Sequence, residues 1–122
     1  MSKKVLIVDD SSYTRKVIKM ALTKAGYEII GEAETGEEAI DMAIELEPDI
    51  ITLDNILPDM LGLDILRIIK EENLHSTVIM ISAIGQPSTV NDGLKLGASK
   101  YIVKPFTATD VVNAVTEFAP MA

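Results

Sequence analysis

The sequence predicts an α/β fold: one open parallel sheet of five strands, doubly wound, with helices on both faces. Three observations carry this. Short apolar runs alternate five times with longer stretches whose apolar residues recur at helical spacing. The links between them are short, so each helix must fold back over its own strand. The chain has 122 residues and no cysteine, the size of one domain (residues 1–122) able to bury a core without disulfide staples.

The elements follow in order. Val5–Val8 is a continuous branched apolar run, as expected of a strand covered on both faces. Tyr13, Val17, Met20 and Ala21 form the apolar stripe of a first helix, with Gly26 where a helix C-cap belongs. Glu28–Ala33 is a second, more polar strand. Thr35 with Glu38 three residues on reads as a capping box, opening a helix striped by Ala39, Met42, Ala43 and Leu46. Pro48 follows its end. Asp49–Leu53 is the third strand, and after Pro58 a helix shows Gly62, Ile65, Leu66 and Ile69 on one face. Thr77–Ile81 is the fourth strand. The helix after it, from about Ser88 to Leu96, puts Val90, Gly93, Leu94 and Gly97 on one face. Gly93 in its interior costs about 1 kcal/mol of helix propensity, so this helix is expected to be the least stable. Ser99–Val103 is the fifth strand. Thr107 and Asp110 open the last helix, striped by Val111, Ala114, Val115 and Phe118. Met20, Met42, Met60 and Met80 read as core filler or loop anchors.

Five strand–helix units in strict alternation imply a parallel sheet with right-handed crossovers. The first, third and fourth strands are the most apolar and belong in the middle. The second and fifth belong at the edges. The order 2-1-3-4-5, the flavodoxin-like (βα)5 arrangement, satisfies this and puts the switch point between strands one and three.

Composition narrows the function. Nineteen acidic against eleven basic residues give a net charge of −8, which argues against nucleic acid as a partner. The basic residues near the N-terminus, Lys3, Lys4, Arg15, Lys16, Lys19 and Lys24, read as a solvated helix face. No apolar run approaches membrane length, and no signal-peptide pattern appears, so a cytoplasmic protein is expected.

In an open parallel sheet, ligands bind where the strands end. Asp9 and Asp10 follow the first strand, Asp54 the third, Ser82 the fourth and Lys104 the fifth. Three carboxylates, a hydroxyl and an ammonium are therefore expected on one rim. Adjacent carboxylates repel, and an all-oxygen acidic set of this kind suits Mg²⁺, with Mn²⁺ as the alternative. Asp54, at the end of the central strand, is placed to act as a nucleophile toward phosphorus. Lys104 and Ser82 are placed to bind phosphoryl oxygens.

These residues resemble the receiver domain of two-component response regulators. VLIVDDSS matches the family's acidic pair, and DNILPDMLG its D-x-x-x-P-x-M-x-G spacing at Asp54, Pro58, Met60 and Gly62. Ser82-Ala83 matches its Ser/Thr-Ala step and Lys104-Pro105 its Lys-Pro step. The stretch SAIGQ and the absence of an output domain point to the single-domain, chemotaxis-type branch. The resemblance implies that Asp54 accepts a phosphoryl group from a phosphohistidine on a sensor histidine kinase. It implies Asp10, Asp54 and the Ile56 carbonyl as direct Mg²⁺ ligands, with Asp9 acting through water. Ser82 and Tyr101 would be switch residues. The output would be a flagellar motor switch or another protein, a phosphatase would be a further partner, and the chain would act as a monomer. The Lys104–Pro105 bond is expected to be cis on the resemblance alone.

Two positions depart from the family. Asn55 stands where an apolar residue is usual. Ile56 faces the site mouth in relatives, and its branched side chain, able to hinder attacking water, is expected to alter the dephosphorylation rate. Other readings are a receiver fragment of a longer regulator and a flavin-binding electron carrier. The carrier needs a phosphate-cradling loop after the first strand, where Asp9-Asp10-Ser11-Ser12 would repel a phosphate. His75, in a polar link, reads as a surface histidine.

Overall fold

Branched apolar residues crowd the strand runs, and the structure, a computed structural model describing residues 2–121, pairs them as the alternation requires. The strands are β1 (Lys4–Val8), β2 (Glu28–Ala33), β3 (Ile50–Leu53), β4 (Thr77–Ser82) and β5 (Lys100–Val103). The helices are α1 (Ser12–Lys24), α2 (Gly36–Leu46), α3 (Gly62–Glu71), α4 (Pro87–Lys95) and α5 (Ala108–Phe118). All four pairings are parallel, in the order β2-β1-β3-β4-β5. The polar β2 and β5 lie at the edges, and the apolar β1, β3 and β4 form the middle.

Strand alternation divides the core in two. Leu6, Val8, Ile51, Leu53, Val78 and Met80 face one side, against Ala39 and Ala43 of α2 and Ile65, Leu66 and Ile69 of α3. Val5, Ile7, Ile50, Ile79 and Ile81 face the other, against Ile18 and Leu22 of α1 and Val111, Ala114 and Val115 of α5. Among the described residues, no helix is long and apolar enough to cross a membrane.

Four helix faces differ from the sequence expectation; on α2 the last residue of the apolar stripe, Leu46, is half-exposed. On α1 the buried pair is Ile18 and Leu22, while Tyr13 and Met20 point outward, 76% and 63% exposed. Met20 is therefore not core filler. On α5, Phe118 lies at the last turn and is half-exposed. On α4, Leu94 is also half-exposed, and Gly93 alone is buried. A Cβ at Gly93 would lie 3.0 Å from Met80 Sδ and 3.3 Å from the Tyr101 ring, so its bare backbone lets α4 lie against the sheet.

Capping is also more distributed than the local motifs suggest. Thr35 does accept from the Glu38 N–H, but Glu38 Oε1 reaches back to the Glu34 N–H at 3.1 Å. The Thr107–Asp110 capping box is complete in both directions. The N-terminus of α2 takes a third partner from far along the chain. Asp59 accepts from the Gly36 and Glu37 N–H groups at 2.7 and 3.0 Å.

Candidate functional site

At the carboxyl end of the sheet, the β1 and β3 ends are neighbours, and the chain turns after each to enter a helix. Asp9 is buried because its backbone still belongs to the sheet, its N–H donating to the Ala33 carbonyl at 3.0 Å. Its Oδ1 accepts from the Ser11 N–H at 2.9 Å. Asp54 is held likewise: its N–H donates to the Val8 carbonyl at 3.0 Å, and its Oδ1 accepts from the Ile56 N–H at 3.2 Å. Carboxylate oxygens of Asp9, Asp10 and Asp54 all lie within 4.8 Å of one another. Asp9 and Asp54 are buried and Asp10 is exposed, so the cluster opens to solvent on the Asp10 side.

Lys104 enters this cluster from β5. Its Nζ donates to Asp9 Oδ2 at 2.9 Å and to Asp54 Oδ2 at 3.2 Å. Its own N–H donates to the Ser82 carbonyl at 2.8 Å, which fixes the strand end from which it reaches. The bond between Lys104 and Pro105 is cis. Burial pushes the Asp9 carboxyl above its ordinary range. Hydrogen bonds from Lys104 and Ser11 pull it back, and the nearby Asp54 charge adds to the rise. Burial lowers Lys104, but the contacts with Asp9 and Asp54 outweigh it, so the ammonium is held more firmly than in water. Three carboxylates against one ammonium leave the pocket negative. Its donors are all hard oxygens on one open face, and a divalent cation such as Mg²⁺ fits both the charge and the chemistry.

The remaining sequence candidates lie beside this cluster. Ser82 is fully buried, its hydroxyl accepting from the Ile84 N–H at 3.3 Å in a turn of its own making. Tyr101 donates its phenol hydrogen to the Ile84 carbonyl at 2.7 Å. Both side chains therefore meet the β4–α4 link, one at each end of Ile84. The Ile56 side chain is half-exposed, and its residue bridges Leu61 across the β3–α3 loop.

Sequence reasoning missed two residues that shape the site. Arg15 is not part of a solvated face. Its side chain is only 11% exposed, with Nη1 donating to the Asp9 carbonyl at 2.7 Å and Nε to Glu32 at 3.1 Å. Asn55 is buried, and its Oδ1 accepts from the Leu63 N–H at 3.0 Å. A signal for Asn55 was present. The residue before α3 is Leu61, which has no side chain to cap the helix, so the orphan N–H groups had to find a partner elsewhere.

Comparison with known proteins matches this architecture. The response regulator receiver domain family matches residues 5–116. The chemotaxis protein CheY of Thermotoga maritima is 44% identical over 96% of this chain and 98% of that protein. The CheY of Bacillus subtilis is 41% identical over the same shares, 96% and 98%. Among solved structures, the CheX-CheY-BeF3-Mg+2 complex from Borrelia burgdorferi matches with a TM-score of 0.91 and 40% identity, covering 94% of this chain and 87% of that one. The signal receiver domain of a Luxo repressor protein from Vibrio parahaemolyticus matches with a TM-score of 0.92 and 30% identity, over 97% and 90%.

Fold and site define a phospho-accepting signalling switch built on a parallel α/β sheet. The chain belongs to the response regulator receiver domain family, and its similarity to the CheY proteins runs over nearly its whole length. A flavin-binding carrier is not favoured.

Proposed function

We propose that Asp54 is the phospho-acceptor of a chemotaxis-type response regulator, and that the acidic pocket holds Mg²⁺ while it reacts. One observation supports this above the others. Lys104 Nζ bridges Asp9 and Asp54 from 95 and 50 residues away, so three separate strand ends are committed to one small pocket. Asp54 Oδ attacks the phosphorus of a phosphohistidine on a sensor histidine kinase. The P–N bond breaks, and its electron pair returns to the imidazole nitrogen. Lys104, freed from Asp54 as that carboxylate becomes an acyl phosphate, pairs with a phosphoryl oxygen, and the Ser82 hydroxyl takes another. Asp10, Asp54 and the Ile56 carbonyl would ligate Mg²⁺ directly, with Asp9 acting through water. When bound, the metal supplies charge neutralisation between the carboxylates and the incoming anion.

The same reading assigns the output. Ser82 and Tyr101 both contact the β4–α4 link at Ile84, so drawing Ser82 toward a phosphoryl group pulls on the link that Tyr101 also holds. The surface of α4, β5 and α5 then changes for a partner, a flagellar motor switch or another output protein. A phosphatase would act on the same phosphorylated form, and one of the similar structures is of a CheX-CheY complex. Ile56, half-exposed in the loop beside Asp54, would slow attack by water on the aspartyl phosphate.

The test is incubation with a small acyl-phosphate donor and Mg²⁺, read by intact mass. One phosphoryl adduct is expected, absent in Asp54→Asn and without the metal. An adduct persisting in Asp54→Asn overturns the assignment. In the same assay Ile56→Asn is expected to shorten the adduct's lifetime, and an unchanged lifetime removes Ile56 from the account.

A further inference from the structure

The N-terminus of α3 is capped by the residue next to the nucleophile. Leu61, the residue that should cap it, offers no side-chain acceptor. Two of the first free N–H groups of the helix go instead to Asn55. Gly62 N–H donates to the Asn55 carbonyl at 2.7 Å, and Leu63 N–H to Asn55 Oδ1 at 3.0 Å. The helix end also presses directly on the chain it caps. A Cβ at Gly62 would lie 2.4 Å from the Asp54 carbonyl oxygen and 2.8 Å from the Asn55 Cα, so only glycine admits this approach.

We infer that Asn55 is a positioning residue for the acidic pocket, bolting Asp54 and the Ile56 carbonyl to the rigid end of α3. This rests on the reading of the pocket as a Mg²⁺ site. Asn55 stands between the two groups that reading assigns to the metal. Neither can shift along the chain without carrying Asn55, and Asn55 cannot move without uncapping α3. That helix is a firm anchor, because Gly62, Ile65, Leu66 and Ile69 are all buried. The Ile56 N–H bond to Asp54 Oδ1 closes the arrangement on the other side, leaving the turn little freedom. An apolar side chain at this position would leave the Leu63 N–H short of its partner and the turn free to rock. A polar residue here follows from what Leu61 lacks.

The experiment is a Mg²⁺ titration by calorimetry, paired with thermal unfolding in the absence of metal. Four proteins are compared: wild type, Asn55→Ala, Asn55→Asp and Ser76→Ala. Ser76 donates to the Pro48 carbonyl at 2.6 Å at the opposite end of the sheet, so its loss removes a comparable buried bond far from the pocket. Asn55→Ala is expected to weaken Mg²⁺ binding about tenfold, the lower end of what losing an outer-shell support costs. Ser76→Ala lowers the thermal midpoint but leaves Mg²⁺ affinity within about twofold of wild type, since the bond it loses supports no metal ligand. Asn55→Asp keeps the acceptor and holds Mg²⁺ affinity at or above wild type, even where burying the new carboxylate lowers the midpoint. If Asn55→Ala does not fold, Asn55→Ser, too short to reach the Leu63 N–H, replaces it. Wild-type affinity in the destabilised Asn55→Ala protein overturns the inference, as does weakened binding in Asn55→Asp. No magnesium binding by the wild type overturns the metal-site reading and the inference with it.

Discussion

Helices α3 and α4 leave the two strands that carry Asp54 and Ser82, yet they are attached in opposite ways. Four of the ten residues of α3 are buried, and its first turn is capped from beside Asp54. Only Gly93 of α4 is buried, its N-cap Gln86 makes no side-chain cap bond, and Leu94 stays half-exposed. Two side-chain bonds tie the link before α4 to the sheet, Ile84 N–H to Ser82 Oγ and Tyr101 Oη–H to the Ile84 carbonyl. A phosphoryl switch needs one part that holds still while the chemistry occurs and one that moves afterwards. On the proposed function, the difference between these helices would supply both. Weakly packed elements sit at the low end of local stability, where a small free-energy input shifts their population.

Core substitutions probe the contrast most strongly. Leu66→Ala on α3 removes a fully buried side chain and is expected to cost about 2–5 kcal/mol in urea unfolding. Leu94→Ala on α4 removes a half-exposed one and should stay within about 0.5 kcal/mol. Comparable losses at the two sites would erase the distinction. Next in size is Tyr101→Phe, which deletes the bond to Ile84. It should cost about 0.5–1.5 kcal/mol and raise amide exchange in the β4–α4 link. Exchange rising instead in α3 would argue against the assignment.

Asp59 gives the smallest effect and a pH signature. The Gly36 N–H bond, helped by that of Glu37, holds its carboxyl below the ordinary value of 3.8. A lowered carboxylate stabilises the fold above its unfolded value and loses that contribution as pH falls through the folded one. The thermal midpoint of Asp59→Asn should therefore lie below wild type at about pH 5 and converge with it below about pH 3. A gap that persists into acid would show that the side chain's charge is not what caps α2.

Much of this was legible in the sequence because it is local. Alternating apolar runs fixed the strands, their polarity ordered the sheet, and the strand ends named Asp9, Asp10, Asp54, Ser82 and Lys104. What stayed hidden depends on where elements dock. On α1, Tyr13 and Met20 lie at helical spacing with Val17, but so do Ile18 and Leu22 on the opposite face. Only packing against Ile7 and Val115 selects the second set. Asn55 and Asp59 cap helices across 8 and 23 residues, and no short-range pattern records such a bond. Arg15 looked like one more cation on a basic helix, and its burial appears only once Glu32 on β2 lies alongside.

The most direct test is hydrogen exchange by mass spectrometry on the protein with and without an acyl-phosphate donor, both with Mg²⁺. Changed protection is expected in the β4–α4 link, α4, β5 and α5, with α3 unchanged. Equal changes in α3 and α4, or a change confined to α3, would contradict the account of one anchored and one movable helix around Asp54.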